Sequence, residues 1–205
     1  MEKYFVTAIG TNSGKTIFSA VLVEMLQADY WKPIQSGTED KDADKICELI
    51  NNNYSLVHPS FYELKLPASP HQTAYEQGIE IRLDDFSLPQ TDNHLVIEGA
   101  GGLLVPLNYH NEFVIDLAQK FDAELILVSD FYLGSINHTL LSYNEIKRRN
   151  LKIKGIVFNG DLNEHSVKII LQTTGLKKLL HIPRVSKITS YEIKRWAMDL
   201  VKEWI

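Results

Sequence analysis

The chain has 205 residues, a length that fits one domain with a sizeable core and is short for two. With 44% apolar and 23% charged residues it is neither a disordered chain nor a membrane-spanning one, since no apolar run nears the roughly twenty residues of a spanning helix. A formal charge of −5 leaves no basic footprint, so neither nucleic acid nor a membrane is an expected partner, and Lys147, Arg148 and Arg149 read as a solvated helix end.

The N-terminus, MEKYFVTAIG, enters a strand pattern directly, without the basic and long apolar segments of a secretory leader. The single cysteine, Cys47, can form no internal disulfide, and a reducing cytoplasm is the expected compartment. Its place between Ile46 and Leu49 reads as core filler on a helix face.

In chain order, residues 4–9 are short, apolar on both alternations and rich in branched side chains, as a doubly buried parallel strand is. The same holds for residues 95–98, 125–129 and 153–158, with shorter candidates at 30–34 and 180–182. Helical periodicity follows the first strand: Ile17, Val21 and Met25 form one row and Phe18, Leu22 and Leu26 another on the same face. Further helical patterns cover 136–146, 167–171 and 193–201, where Trp196 and Trp204 read as packing. Residues 51–88 are the least periodic and read as surface helices and loops. Strands alternating with helices predict an α/β fold, a mostly parallel central sheet with helices on both faces, in one domain spanning 1–205. Ligands of such sheets bind at the carboxyl ends of the strands.

Three motifs fall at those ends. Gly10-Thr11-Asn12-Ser13-Gly14-Lys15-Thr16 lies between the first strand and the first helix, the setting of a phosphate-binding loop. There backbone N–H groups and a helix N-terminus face phosphate, Lys15 bridges the β- and γ-phosphates and the Thr16 hydroxyl meets Mg²⁺. The spacing departs from GxxxxGK[ST], because Ile9 stands where the first glycine belongs. The strand at 95–98 ends in Glu98, followed by Gly99-Ala100-Gly101-Gly102; an acid there facing a phosphate loop is a Mg²⁺ ligand of the Walker B kind. Alone it is weak evidence, and with the first loop it is strong. A second acid is expected among Asp40, Asp42 and Asp44, which could equally cap a helix. Lys32, flanked by Trp31 and Pro33, points toward the crevice of Lys15, a cation pair suited to dense negative charge. Of the histidines, His58 reads as a turn before Pro59, His110 and His165 as solvated, and His71 and His138 as hydrogen-bonding struts.

Together these segments resemble the dethiobiotin synthetase family. The resemblance is carried by Thr11 with Gly14-Lys15-Thr16, by Lys32-Pro33-Ile34-Gln35-Ser36-Gly37 and by Asp42-Ala43. It continues through Ser69-Pro70-His71, Glu98-Gly99-Ala100-Gly101-Gly102, Gly134-Ser135-Ile136-Asn137-His138 and Asn159. It implies a P-loop NTPase-like fold and a ligase that uses ATP, Mg²⁺, CO₂ and 7,8-diaminononanoate. A carbamate formed on one amine would attack the γ-phosphate, and the second amine would close a cyclic urea. The resemblance gives Lys15, Lys32 and Thr11 to the reacting groups, and Thr16, Asp42 and Glu98 to the metal. Nucleotide contacts would run through Asn12, Ser13, Gly14, Lys15, Thr16 and Ile17, with Gly99, Ala100 and Gly101 beyond them. Asn159, Pro183, Arg184 and Val185 would take the base; Ser36, Gly101, Gly102, Ile136 and Asn137 the substrate, its tail near the interface of a homodimer. The alternative is a P-loop switch ATPase of the partitioning and division-site type, but the extra early lysine of those loops is missing at Ala8, Ile9 and Gly10.

Overall fold

The structure, a computed structural model, describes residues 1–204. Its frame is a seven-stranded, wholly parallel sheet in the order β4-β2-β6-β1-β7-β8-β9. The strands are β1 (Lys3–Ala8), β2 (Asp29–Trp31), β4 (Val57–His58), β6 (Leu95–Glu98), β7 (Glu124–Asp130), β8 (Ile153–Asn159) and β9 (Lys178–Ile182). Alternate residues of β1 enter different cores. Tyr4, Val6 and Ala8 pack under α1 (Lys15–Leu26) and α7 (Ser190–Trp204), while Phe5 joins the opposite layer with α4 (Val114–Lys120). Both faces being covered, the strands need apolar residues at every position, which is why they read as continuous rather than alternating runs.

The helix expected after the phosphate loop is α1. Of its predicted rows, Ile17, Val21, Phe18 and Leu22 are buried and Met25 and Leu26 partly so; Ala20 and Val23 are buried as well, so α1 is enclosed on nearly every side of its first two-thirds. The other predicted helices are α5 (Ser135–Arg148), α6 (Glu164–Thr174) and α7, where Trp196 is buried and Trp204 packs edge-on to Tyr4 at 5.0 Å. The basic end of α5 is not merely solvated: Arg149 pairs with Glu145 and with Asp116 of α4, and its side chain is 17% exposed. No helix among the described residues is long and apolar enough to cross a membrane.

Three expectations need correction. The strand predicted over 30–34 is broken in two. Pro33 has no N–H to give a ladder, and after Trp31 the chain leaves the main sheet. It forms β3 (Ile34–Ser36), which pairs in parallel with β5 (Tyr62–Leu64) as a separate two-stranded sheet. Residues 51–88 are not only helices and loops. They contain β4, β5, the short helix α3 (Pro70–Glu76) and a 3₁₀ turn at Leu83–Asp85. Cys47 is not core: in α2 (Asp42–Leu49) the inward stripe is Ile46 and Leu49, and Cys47, about 100° around the helix from Ile46, is exposed.

Candidate active site

The carboxyl ends of β1, β6, β2, β8 and β9 open on one cavity of about 1180 Å³. The phosphate loop leaves β1, and Gly14 caps α1 with φ 97°, a left-handed conformation that other residues adopt at a strain cost. A side chain there would also meet Asn159, whose Nδ2 would lie 2.5 Å from a Cβ. The Asn159 amide donates to the Ser13 carbonyl at 3.1 Å, which ties the loop to the end of β8. Lys15 is the first residue of α1 and Thr16 the second; the Lys15 ammonium folds back onto the Gly10 carbonyl at 3.1 Å.

Sheet register places the charges. Trp31 of β2 pairs with Ile97 of β6, so Lys32 comes level with Glu98. The Lys32 ammonium bonds Glu98 Oε1 at 3.1 Å and also pairs with Asp42. The Thr16 hydroxyl lies 2.6 Å from Asp42 Oδ1 and 2.9 Å from Glu98 Oε1. A hydroxyl has one proton, so it cannot donate fully to both. Three hard oxygen atoms therefore crowd one point beside a buried ammonium, a donor set that suits Mg²⁺. Asp42, at the start of α2, is held by the Gln35 side chain, which accepts from its backbone N–H at 3.3 Å. Asp44 lines the same cavity without joining this network, whereas Asp42 bonds Thr16 and pairs with Lys32. Among the described residues no group of three or more His, Cys, Asp or Glu makes a metal cage of its own, so a cation here would depend on phosphate oxygens as well.

The two lysines are tuned in opposite directions. Burial pulls the Lys15 pKa down, and Glu98 and Asp42 offset this only in part. Burial also works against the Lys32 charge, but Glu98 and then Asp42 outweigh it and its pKa rises. For Asp42, burial is outweighed by Lys32 and Thr16, and its pKa falls.

Of the residues named from sequence, Thr11, Asn12, Gly14, Lys15, Thr16, Ile17, Lys32, Ser36, Asp42, Glu98, Ala100, Gly101, Asn159, Pro183, Arg184 and Val185 line this cavity. Ser36 lines the cavity, and its buried hydroxyl has no hydrogen-bond partner among the described residues. Ser13, within the loop, is buried and does not line the cavity. Gly99 and Gly102 are not on the wall; they are packing points, Gly99 against Phe5 and Val114 and Gly102 against Gly10. Ile136 and Asn137, in the first turn of α5, also lie outside the cavity of a single chain. Two residues have roles that the sequence reading does not assign. Gln35 shapes the loop around Asp42, and Tyr30 donates its hydroxyl to Glu98 Oε2 at 2.9 Å. An aromatic residue in an apolar strand carries no signal that distinguishes it from core.

His71 is the hydrogen-bonding strut expected, 3.0 Å from the Ser69 hydroxyl, and His138 lies 2.6 Å from the Tyr132 hydroxyl. His58 is not a turn residue: it belongs to β4 and its Nε2 meets Asp29 at 2.9 Å.

A parallel sheet with a Gly-Lys-Thr loop and a strand-end acid defines a P-loop nucleotide-binding protein, and solved structures share this fold. A ParA family ATPase from Chlorobium tepidum superposes with a TM-score of 0.56 over 96% of this chain and 98% of its own, at 13% identity. The cell division ATPase MinD of Pyrococcus furiosus gives 0.57 over 98% and 99%, also at 13%. Residues 2–192 match the AAA domain family. The ATP-dependent dethiobiotin synthetase BioD of Cytophaga hutchinsonii is 54% identical over 205 residues, all of this chain and 99% of that protein. The protein of the same name from Christiangramia forsetii is 45% identical over 91% of this chain and 87% of its own. The chain belongs to the dethiobiotin synthetase family.

Proposed function

We propose that the chain closes the ureido ring of dethiobiotin: it joins the two amines of 7,8-diaminononanoate through the carbon of CO₂ and converts ATP to ADP and phosphate. The observation that carries this reading is the convergence of Lys15, Thr16, Lys32, Asp42 and Glu98 on one crevice large enough for a nucleotide and a small second substrate. Phosphoryl transfer needs little acid–base chemistry and depends on placement and charge. A carbamate on one amine is the nucleophile toward the γ-phosphate. Phosphate then leaves as the second amine attacks the carbamate carbon.

Each side chain has a task in this scheme. Lys15 neutralises the β- and γ-phosphates from the helix N-terminus, where the loop N–H groups add their own partial charge. Lys32 faces the carbamate and the transferring phosphoryl group. Thr16, Asp42 and Glu98 would hold Mg²⁺, which would supply positive charge to the phosphate oxygens. Thr11 and Ser36 contact substrate, with backbone at Gly101 toward the carbamate oxygens. Asn159 reads the adenine, flanked by Pro183, Arg184 and Val185. The tail carboxylate is taken by Ile136 and Asn137 at the N-terminus of α5 from a second copy, which accounts for their place outside the single-chain cavity. The working form is then a homodimer, in the cytoplasm.

The test is incubation with ATP, Mg²⁺, bicarbonate and 7,8-diaminononanoate, followed by mass detection of the cyclic urea. Product that requires all four components is expected. Hydrolysis of ATP indifferent to the diamine would overturn the reading in favour of a switch ATPase, the alternative that the shared fold alone leaves open.

A further inference from the structure

The Glu98 carboxylate is divided between two environments. Oε1 faces Thr16 and Lys32 in the cavity, while Oε2 accepts from Tyr30 behind it. Tyr30 is fully buried in the core beneath α1 and does not line the cavity. It pairs with Val96 in the β2–β6 register, so Glu98 is its diagonal neighbour two residues on, on the same face of the sheet. An aromatic side chain can span that diagonal, and the phenol reaches the acid at 2.9 Å.

We propose that Tyr30 is a positioning residue that holds Glu98 in a one-oxygen presentation and thereby favours Mg²⁺ over Ca²⁺. The proposal rests on the metal role given to Glu98 above. Mg²⁺ demands a compact octahedron and takes carboxylates through one oxygen, whereas Ca²⁺ readily takes both oxygens of one group. With Oε2 tied to Tyr30, Glu98 cannot turn both oxygens to the cavity without breaking a buried hydrogen bond. The hydroxyl thus acts against the larger ion as well as for the smaller. Outer partners of metal ligands set affinity in this way, by about 10- to 100-fold.

The experiment is Mn²⁺ binding to the full chain with a non-hydrolysable ATP analogue, read by electron paramagnetic resonance, with Mg²⁺ and Ca²⁺ as competitors. Tyr30→Phe keeps the ring and its packing. It is expected to weaken Mg²⁺ by about tenfold while Ca²⁺ changes much less, so the preference between them narrows. Metal-free binding of the analogue stays at the wild-type value. Asp42→Asn is the control for the metal site itself. If it binds Mn²⁺ as wild type does, the metal reading falls and Tyr30 with it. If it loses Mn²⁺ while Tyr30→Phe keeps both affinities, the Tyr30 proposal alone is overturned. Should Tyr30→Phe fail to fold, the wild type decides. In protein carrying 3-fluorotyrosine at its nine tyrosines, adding Mg²⁺ to the analogue complex must move a ¹⁹F resonance that solvent does not reach. No such movement overturns the proposal.

Discussion

Asp29 and Glu98 are both 1% exposed and lie on neighbouring strands, one at the amino end of β2 and the other at the carboxyl end of β6. Asp29 is surrounded by fixed donors. Its Oδ1 accepts from the Leu56 N–H at 2.9 Å and from Asn93 at 3.3 Å, and its Oδ2 meets His58 at 2.9 Å. Those partners come from two separate segments, 56–58 and the turn at Asn93, which the carboxylate staples to the sheet. Glu98 instead shares its cavity-facing oxygen with a hydroxyl and an ammonium that also serve Asp42. That network is oversupplied with negative oxygen and open to a ligand. Burial alone therefore does not mark a functional acid; the kind of donor around it, and the end of the sheet it occupies, do.

The sharpest way to break this contrast is to remove the cations of the functional end. Lys32→Ala and Lys15→Ala should each lower the rate of dethiobiotin formation by at least about 10³-fold, because each neutralises charge that grows in phosphoryl transfer. Single-turnover formation of phosphate in acid-quenched samples, which is insensitive to product dissociation, is the measurement. Wild-type rates in either variant would detach that lysine from the chemistry. Asp29→Asn, by contrast, should leave the rate of the folded protein within about twofold.

A smaller effect is expected where the site turns from charge to shape. Asn159 props the phosphate loop through Ser13 and faces the proposed base pocket, but carries no charge. Asn159→Ala should raise the KM for ATP about tenfold, or about 1.4 kcal/mol, with a smaller change in kcat. The discrimination between ATP and GTP should weaken in the same variant. A drop in kcat as large as that of Lys32→Ala would mean that Asn159 acts on the reacting groups, and the boundary between the two ends of the cavity would have to move.

The strand-and-helix frame was legible because parallel strands covered on both faces leave long apolar runs, and the elements at 95–98 and 136–146 lie where those patterns put them. Lys15, Lys32 and Glu98 could be named from sequence only in combination, because a strand-end charge that is ambiguous alone gains meaning beside a Gly-Lys-Thr loop at the same end of the sheet. What escaped needs three dimensions. That Asp42 and not Asp44 reaches Thr16 depends on which side of the first turn of α2 faces α1, and three acids at alternate positions look alike in sequence. The break at Pro33 was overlooked because 30–34 has the composition of a strand, while the ladder depends on an N–H that proline lacks. Cys47 was assigned to the core from its neighbours, although one residue of helical rotation turns it outward. Asp29 left no trace: its partners at Leu56, His58 and Asn93 lie 27 or more residues away.

Asp29 also gives the gentlest test of the comparison, one confined to stability and to its dependence on pH. Burial raises the Asp29 pKa, but the Leu56 N–H, Thr91, His58 and Asn93 lower it further, and the net value lies below that of a free aspartate. A carboxylate depressed in the folded state contributes stability that is complete above its unfolded pKa, about 4. That contribution is lost as the pH falls through the lower folded value. Asp29→Asn removes the charge and leaves donors without their anion, so it should destabilise the protein by about 1–3 kcal/mol at neutral pH. The gap between wild type and variant should be widest above about pH 5 and should close below about pH 4. Urea denaturation at several pH values measures it. A gap that stays constant into acid would show that the carboxylate's charge is not what holds the 51–58 segment, and that the amino end of the sheet is stapled by packing alone.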